Sequence, residues 1–250
     1  MPTTPTPPHQ AAETARMAAI AARLKAVYPH AVCALEWGGQ HGGESELLLR
    51  ESWKLLVMGR LSAQCTDARV NIVCRELFER FPTVYAMADA AVEDIEAIVR
   101  PCGLYRTKAR NIKDACHILA EDYGGTVPDD MDTLLTLPGV GRKIANLLLG
   151  DIYKKGGVVT DTHCIRICGR LGFYPESLKD PLKVERILTP LIPRRSRAIS
   201  ATASSSSDGI PARHARRPAG SVPWEICVRM PPKTIDAKRK RRPNGSSFPF

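Results

Sequence analysis

The sequence lacks a run of apolar residues near the roughly 18 that a membrane-spanning helix needs, so no transmembrane segment is expected. We expect no signal peptide in the start, MPTTPTPPHQAAET, because it contains neither a basic region nor an apolar one. This Pro- and Thr-rich start predicts a disordered tail over residues 1–13. The eight cysteines lack the regular spacing of a secreted disulfide framework. We therefore expect a cytoplasmic protein with reduced thiols and no membrane partner, associated with the nucleoid if it is bacterial.

Positive charge is scarce where a nucleic-acid-binding domain would be expected to carry it. The formal net charge is +10, but residues 1–193 contain 23 Lys and Arg against 23 Asp and Glu. The excess lies wholly in residues 194–250. A nucleic-acid site in the first 193 residues must therefore use a local patch and not a general positive field.

Helical periodicity covers most of the first 193 residues, whereas alternating strand patterns longer than a few residues are absent. Residues 14–27 have apolar positions at helical spacing, with Thr14 as the predicted N-cap. After a Gly-rich linker at residues 38–43, further helices are predicted from SWKLLVMGRLSAQ, ARVNIVCRELFERF, VEDIEAIVR, TKARNIKDACHILAEDY and MDTLLTL. The predicted fold class is therefore all-α.

The segment LPGVGRK at residues 137–143 contains a Gly-x-Gly turn between two predicted helices. Glycines expose consecutive N–H groups because no Cβ is in the way. At a helix N-terminus, such amides can bind a phosphate oxygen. With MDTLLTL before it, the turn is predicted to form a helix-hairpin-helix that holds the backbone of one DNA strand. An ordinary turn between two helices is the alternative interpretation.

Lys143 follows this turn and precedes the apolar residues Ile144 to Leu149. The position predicts partial burial, which lowers the pKa of a lysine and raises the fraction of free amine. A free amine attacks a carbon that bears a leaving group and can form a Schiff base, and a nearby carboxylate assists the proton transfer. The candidate carboxylate is Asp161 in VVTDTH, although an aspartate before a helix is also a common N-cap.

Together, LPGVGRKIANLLL and VVTDTHCIRICGRLGF resemble the endonuclease III family of the helix-hairpin-helix DNA glycosylase superfamily. The resemblance runs from about Trp53 to Pro193 and includes LLVMGRLSAQCTDARVN, CGLYRTKARNI and GGTVPDDMDTLLTLPGVGRK. It implies the helix-hairpin-helix glycosylase fold, with a six-helix catalytic lobe over residues 44–158. Residues 14–43 and 159–193 would then form an incomplete second helical lobe with its linker.

The resemblance also implies a function in base excision repair. Family members are DNA N-glycosylases and abasic-site lyases that act on oxidised pyrimidines. The implied partner is double-stranded DNA with damaged pyrimidines or abasic sites, bound by a monomer. Lys143 matches the family's Schiff-base lysine, and Asp161 matches its catalytic aspartate. Lys143 would displace the damaged base from C1′ of a flipped nucleotide, and β-elimination would then break the strand.

Five further residues match positions that hold DNA in the family. Leu137, Gly139 and Gly141 match the hairpin whose amides bind the DNA backbone. Gln64 in LSAQ matches the residue that fills the gap left by the flipped nucleotide, and Leu104 in CGLY matches the wedge in the opposite strand. A plug and a wedge of this kind compensate the stacking that is lost when a base is extruded. Without the resemblance, core packing or a helix surface would be the default interpretation of Gln64 and Leu104.

The family also carries a 4Fe–4S cluster on four C-terminal cysteines with the spacing C-x6-C-x2-C-x5-C. In this chain only Cys227 lies beyond Cys168, so that ligand set is absent. We therefore expect no cluster, no other cofactor and no metal site. Residues 194–250 are basic and have no helical periodicity, which by itself predicts a disordered tail.

A frameshift is a second explanation of residues 194–250. If the message is read one nucleotide earlier, a Cys codon arises wherever a codon that ends in T precedes an Ala or Val codon. Four residues with the family's cysteine spacing meet this condition: Ala212, Ala219, Val222 and Val228. We therefore expect a frameshift in the gene or in its sequencing, with reduced stability and weaker DNA binding for the chain as printed.

Two other functions stay open. A monofunctional glycosylase of the same superfamily, such as the adenine-specific branch, lacks a lysine at this position, so Lys143 argues against it. A non-catalytic helix-hairpin-helix module would bind duplex DNA without nicking abasic sites. An inactivated remnant of the family would behave in this second way.

Overall fold

The computed structural model describes residues 8–27, 34–38, 45–155 and 157–192, and every regular element in these ranges is helical. No helix in them is both long enough and apolar enough to cross a membrane. A short 3-10 turn, Arg100–Cys102, precedes the seventh α-helix. In chain order the α-helices are α1 (Pro8–Val27), α2 (Ser45–Arg50), α3 (Ser52–Leu61), α4 (Asp67–Arg80), α5 (Val84–Asp89), α6 (Val92–Val99), α7 (Tyr105–Asp122), α8 (Met131–Thr136), α9 (Arg142–Asp151), α10 (Thr162–Arg170) and α11 (Pro181–Leu188).

The all-α prediction is confirmed, and six predicted helices of the larger lobe correspond to α3, α4, α6, α7, α8 and α9. Two short helices, α2 and α5, occur in addition. Each has six residues, which is less than two turns. So short a segment does not repeat its apolar positions often enough to reveal a helical period in the sequence.

α1 begins earlier than predicted, at Pro8 and not after Thr14. The prediction of a disordered tail is therefore wrong for residues 8–13, while residues 1–7 lie outside the described residues. Proline is well tolerated in the first turn of a helix, where its missing N–H has no partner, and the alanines that follow favour the helix. Thr14 is not the N-cap, because its hydroxyl donates to the Gln10 carbonyl at 2.9 Å inside α1.

The core of the larger lobe is built around α3 and α7. α3 buries Trp53, Leu55 and Leu56 almost completely, and α7 contributes Ile112 and Leu119. α5 and α6 pack against α7, while α9 packs against α3 and α8. Because α9 begins directly after the glycine turn, this packing fixes the turn on the surface of the central helices.

A second and smaller core joins α1 to α10 and α11. Met17 of α1, Ile165 of α10 and Leu188 of α11 belong to this one buried cluster. The first helix thus packs with the helices near residue 190. The predicted linker beyond residue 38 and the tail 194–250 lie outside the described residues.

Candidate active site and nucleic-acid interface

α8 and α9 are joined by residues 137–141 and form the predicted helix-hairpin-helix. Leu137 is 2% exposed and anchors the turn in the core, and its carbonyl accepts the Val140 N–H at 3.1 Å. Gly139 has a φ of +75°, a conformation that residues with a Cβ rarely adopt. Gly139 and Gly141 are both exposed. The turn therefore presents glycine backbone to solvent and buries its apolar side chains.

Leu137 differs from the two glycines with which it was predicted to bind DNA. Its N–H donates to the Leu134 carbonyl at 3.3 Å, within the hairpin itself. Its side chain lies in the core cluster. The glycine backbone is thus the accessible part of the turn, and Leu137 is the part that fixes it.

Two residues of the central helices lie directly against Gly139. A Cβ at this position would be 2.7 Å from Arg60 Nε and 2.9 Å from Asn111 Cβ, closer than real side chains approach. Arg60 of α3 donates to Asn111 Oδ1 of α7 from Nε at 3.2 Å and from Nη2 at 2.9 Å. The Arg60–Asn111 pair therefore supports the turn and leaves room only for glycine at residue 139.

Gly141 is the N-cap of α9 and has an extended backbone, with φ −98° and ψ 176°. The N–H groups in the first turn of an α-helix have no carbonyl partner within the helix, and the helix dipole adds partial positive charge there. Together with the exposed glycines before it, the start of α9 is chemically suited to bind one phosphate group.

Lys143 is the second residue of α9, and its side chain is exposed. The predicted partial burial of this lysine is therefore wrong. The buried face of α9 is formed by Ile144, Ala145 and Leu148. Each helical residue is rotated by about 100° from the one before it, so Lys143 lies off that buried face. The amine is accessible beside the glycine turn.

Asp161 is the N-cap of α10, since its Oδ1 accepts the Cys164 N–H at 2.7 Å. The capping interpretation is confirmed, and a catalytic role stays compatible with it because a carboxylate has further lone pairs. The segment before Asp161 approaches α9 closely. A Cβ on Gly157 would lie 2.4 Å from the Asn146 carbonyl oxygen. Backbone contact therefore holds this segment against the helix that carries Lys143.

Asp67, the first residue of α4, interacts with both predicted catalytic residues. Burial raises the pKa of the Asp67 carboxyl, Lys143 lowers it, Asp161 raises it and His163 lowers it, with a net increase. Charges near a protein surface interact appreciably only at short range. Lys143, Asp161 and His163 therefore each lie close enough to Asp67 to influence its charge.

Asp67 was not among the predicted site residues. The only signal in the sequence is its place directly after Thr66, whose hydroxyl caps α4 by accepting the Arg69 N–H. Acidic residues are common at such helix starts for electrostatic reasons alone. Only the fold reveals that α4, α9 and α10 begin beside one another.

Gln64 and Leu104 both have left-handed backbone conformations, with φ values of 56° and 49°. Such conformations are uncommon outside glycine and concentrate at functional sites. Both side chains are exposed, and Leu104 exposes 59% of its surface. Of the two default interpretations, core packing is therefore wrong for both residues, and both lie outside the bounds of the helices.

The loops that carry Gln64 and Leu104 are held together by Lys108, whose side chain is fully buried. Its Nζ donates to the Leu61 carbonyl at 2.9 Å and to the Cys102 carbonyl at 2.8 Å. Burial lowers the pKa of Lys108. Sequence reasoning missed this residue, because a lysine in an amphipathic helix resembles an ordinary surface residue.

Arg142, the first residue of α9, connects the two lobes. Its Nε donates to Glu185 Oε2 at 3.0 Å, and its Nη2 donates to Glu185 Oε1 at 2.6 Å. Burial raises the pKa of Glu185, but the hydrogen bonds and charge of Arg142, together with Asn146 and the charge of Arg186, outweigh burial and hold it below its ordinary value. The pair fixes α11 against the helix that carries Lys143.

The described residues contain no group of three or more His, Cys, Asp and Glu side chains that could hold a metal ion. The six cysteines within them are free thiols. Beyond Cys168 the sequence has only Cys227. The residues of this chain therefore do not fit a cluster held by four cysteines in the C-x6-C-x2-C-x5-C pattern.

Comparison with known sequences places the chain among DNA repair proteins. The profile of the HhH-GPD superfamily base excision DNA repair proteins matches residues 57–194. Endonuclease III of Synechocystis sp. is 41% identical over 172 residues, which cover 68% of this chain and 72% of that relative. Endonuclease III of Bacillus subtilis is 35% identical over 176 residues, which cover 70% of this chain and 74% of that relative.

Two solved structures are similar to this chain over most of their length. A non-covalent complex of endonuclease III with DNA has a TM-score of 0.69 and 33% sequence identity, and the match covers 82% of this chain and 90% of that one. A trapped covalent intermediate of endonuclease III with DNA has a TM-score of 0.66 and 34% identity, covering 76% and 84%.

Proposed function

This chain belongs to the endonuclease III family of HhH-GPD base excision DNA repair proteins, and from this premise we propose that it removes oxidised pyrimidines and cleaves DNA at the resulting abasic site. It would act as both a DNA N-glycosylase and an abasic-site lyase, with Lys143 as nucleophile. The observation that carries the proposal is the exposed amine of Lys143 directly after the glycine turn, with the segment that leads to Asp161 held by Gly157 against Asn146 of the same helix. The trapped covalent intermediate of a related endonuclease III with DNA supports covalent chemistry.

The proposed DNA-binding surface consists of the glycine turn and the two loops tied by Lys108. The start of α9 holds one phosphate, Gln64 fills the space of the flipped nucleotide, and Leu104 wedges into the opposite strand. The exposure and the left-handed backbone of Gln64 and Leu104 support these roles. The partner is double-stranded DNA with oxidised pyrimidines or abasic sites, bound by a monomer in the cytoplasm.

The proposed reaction begins when the amine of Lys143 attacks C1′ and displaces the damaged base. Asp161 accepts a proton from the attacking amine. The sugar ring opens, and Lys143 is then joined to C1′ as a protonated Schiff base. The positive charge acidifies the 2′ carbon, and loss of a 2′ proton expels the 3′ phosphate. Hydrolysis of the Schiff base releases Lys143 for the next turnover.

The test is borohydride reduction during incubation with duplex DNA that contains an abasic site. The unaltered chain is expected to give a covalent protein–DNA complex, because borohydride converts the Schiff base to a stable amine. Lys143→Ala is expected to give none, while the control Lys179→Ala, at an exposed lysine in a loop, keeps full trapping. A complex that persists in Lys143→Ala would remove this lysine from the mechanism.

A second candidate function is a DNA-binding remnant without catalysis. The sequence beyond residue 193 favours it, because the superfamily profile ends at residue 194 and the four cluster cysteines are missing there. We propose that the chain as printed carries no iron–sulfur cluster. Tight binding of abasic duplex DNA, with neither nicking nor trapping, would select this second function.

A further inference from the structure

Lys108 is the buried group that the loop with Gln64 and the loop with Leu104 share. Its Nζ binds the carbonyl of Leu61, three residues before Gln64, and the carbonyl of Cys102, two residues before Leu104. The whole lysine is inaccessible to solvent, so neither the phosphates nor the bases of DNA can contact it directly. One side chain thus fixes the backbone just ahead of both residues that are proposed to enter the duplex.

The two carbonyls need a donor of this kind because each belongs to the end of a helix. Leu61 is the last residue of α3, and Cys102 is the last residue of the 3-10 turn. Carbonyls in the last turn of a helix have no N–H partner within it, and the helix dipole adds partial negative charge there. A buried carbonyl without a donor is costly. The ammonium group of Lys108 supplies both the donors and the opposite charge, whereas an apolar side chain of similar length supplies neither.

Gln64 and Leu104 depend on this support because neither has a relaxed backbone. Their φ values of 56° and 49° lie in the left-handed region. Side-chain-bearing residues keep such conformations only where the surrounding structure determines them. Leu104 is also the N-cap of α7, and its carbonyl accepts the Lys108 N–H at 3.0 Å. Leu104 is thereby attached to the first turn of the helix whose lysine reaches the other loop.

We propose that Lys108 is a positioning residue, which sets Gln64 and Leu104 at a fixed spacing so that both enter the duplex when a nucleotide is extruded. This role rests on the proposed function, which assigns the two residues to the space of the flipped nucleotide and to the opposite strand. Both must act in one step, because extrusion disturbs the stacking of both strands at once. A displacement of about 1 Å in an active site can cost up to roughly 100-fold in rate. Lys108 therefore controls extrusion through the two loops, without contact to the reacting atoms.

The experiment uses the full chain and a duplex in which 2-aminopurine lies opposite a tetrahydrofuran analogue of an abasic site. The analogue cannot form a Schiff base, and 2-aminopurine becomes brighter when its stacking is disturbed, so the fluorescence reports insertion into the stack without any chemistry. Protein is added to saturation, which fluorescence anisotropy defines for each variant. We expect the unaltered chain to raise the fluorescence. Lys108→Met and Leu104→Ala are expected to bind the duplex and to lose most of this rise.

Lys113→Met is the matched control. Lys113 lies on the same helix and also donates from Nζ to a carbonyl, but this carbonyl belongs to Ala90, between α5 and α6, at 2.6 Å. The control is expected to keep the full rise. Lys108→Gln is measured in parallel, because glutamine keeps a donor but is one atom shorter than lysine. Its rise is expected to lie between those of the unaltered chain and Lys108→Met. Circular dichroism shows which variants are folded.

A folded Lys108 variant that keeps the full rise would overturn the proposal, as would an equal loss in Lys113→Met or no rise with the unaltered chain. If both Lys108 variants fail to fold or to bind DNA, Lys108 maintains the whole fold or surface, and the proposal is again overturned. Nicking of a duplex with a natural abasic site is expected to be about ten-fold slower in Lys108→Met. If the unaltered chain raises the fluorescence but does not nick, the proposed catalysis fails, and the fluorescence still tests Lys108 separately.

Discussion

Arg142 and Glu185 form a two-point charged pair between α9 and α11, in which the Glu185 side chain is only 9% exposed and the Arg142 side chain is 44% exposed. α11 shares a buried cluster with α10, and Asp161 caps α10. The position of Asp161 relative to Lys143 therefore depends on this connection between the lobes.

Glu185→Gln is expected to lower the free energy of unfolding by about 1–2 kcal/mol at neutral pH. The amide keeps the shape of the side chain but loses the charge that Arg142 binds. Because the pKa of Glu185 is lowered in the folded protein, its contribution is present above the unfolded pKa and is lost as the pH falls through the folded value. The free energies of unfolding of the two proteins should therefore converge once the pH falls below the lowered folded pKa of Glu185.

The matched control for this variant is Glu79→Gln, since Glu79 is exposed on α4. It should leave the free energy of unfolding unchanged within about 0.5 kcal/mol. If Glu185→Gln lowers the free energy of unfolding equally at pH 7 and at acid pH, the loss of stability does not come from the charge pair with Arg142.

Asp67→Asn is expected to stabilise the protein and to impair its reaction. Burial raises the pKa of Asp67 in the folded state. The stability that this group contributes therefore falls as the pH rises from its pKa in the unfolded chain to its pKa in the folded protein. The free energy of unfolding of the variant should be higher by about 0.5–1 kcal/mol at pH 7 and unchanged at about pH 3. Nicking of abasic DNA should fall, because the charge beside Lys143 is removed. Urea unfolding and a nicking assay measure the two effects, with Asp114→Asn on the exposed face of α7 as control.

The glycine turn and its flanking helices could be predicted, because Gly-x-Gly between apolar helices restricts the backbone in a local and recognisable way. The cap at Asp161 could be predicted for the same reason. The exposure of Lys143 could not, because it depends on which face of α9 meets α3. Apolar neighbours in the sequence do not specify whether the Lys143 side chain points toward that face or away from it.

The remaining errors and omissions concern contacts between residues that are distant in sequence. Asp67 joins the site only because the start of α4 lies near α9 and α10, and Lys108 is buried only because two loops meet over it. Arg60 resembles a surface residue in the sequence, yet it supports Gly139. A single sequence contains no periodic signal for any of these contacts.

Gly139→Ala is expected to disrupt the hairpin, whereas Gly141→Ala is expected to fold normally. Alanine at residue 139 combines a φ of +75° with contacts below 3 Å to Arg60 and Asn111. The expected loss is about 1–3 kcal/mol of stability. Gly141 has an extended backbone and nothing within 4 Å of a built Cβ.

The two glycine variants separate stability from DNA binding. If the start of α9 holds a phosphate, a methyl group at residue 141 weakens duplex binding without changing the urea midpoint. Fluorescence anisotropy with abasic duplex DNA, alongside urea unfolding, measures both. Equal DNA affinity of Gly141→Ala and the unaltered chain would argue against a phosphate at this turn.

Restoring the reading frame after residue 193 is expected to add an iron–sulfur cluster and to stabilise the second lobe. The frameshift hypothesis requires T-ending codons before Ala212, Ala219, Val222 and Val228, which resequencing checks directly. The restored chain should show the visible absorbance of a 4Fe–4S cluster, since four thiolates with the family's spacing become available. Ligand binding to the folded state adds to its stability, so the restored chain should also unfold at higher urea concentration and bind abasic DNA more tightly. Codons at these four sites that do not end in T, or a restored chain that binds no iron, would contradict the hypothesis and leave the basic tail as a genuine part of the protein.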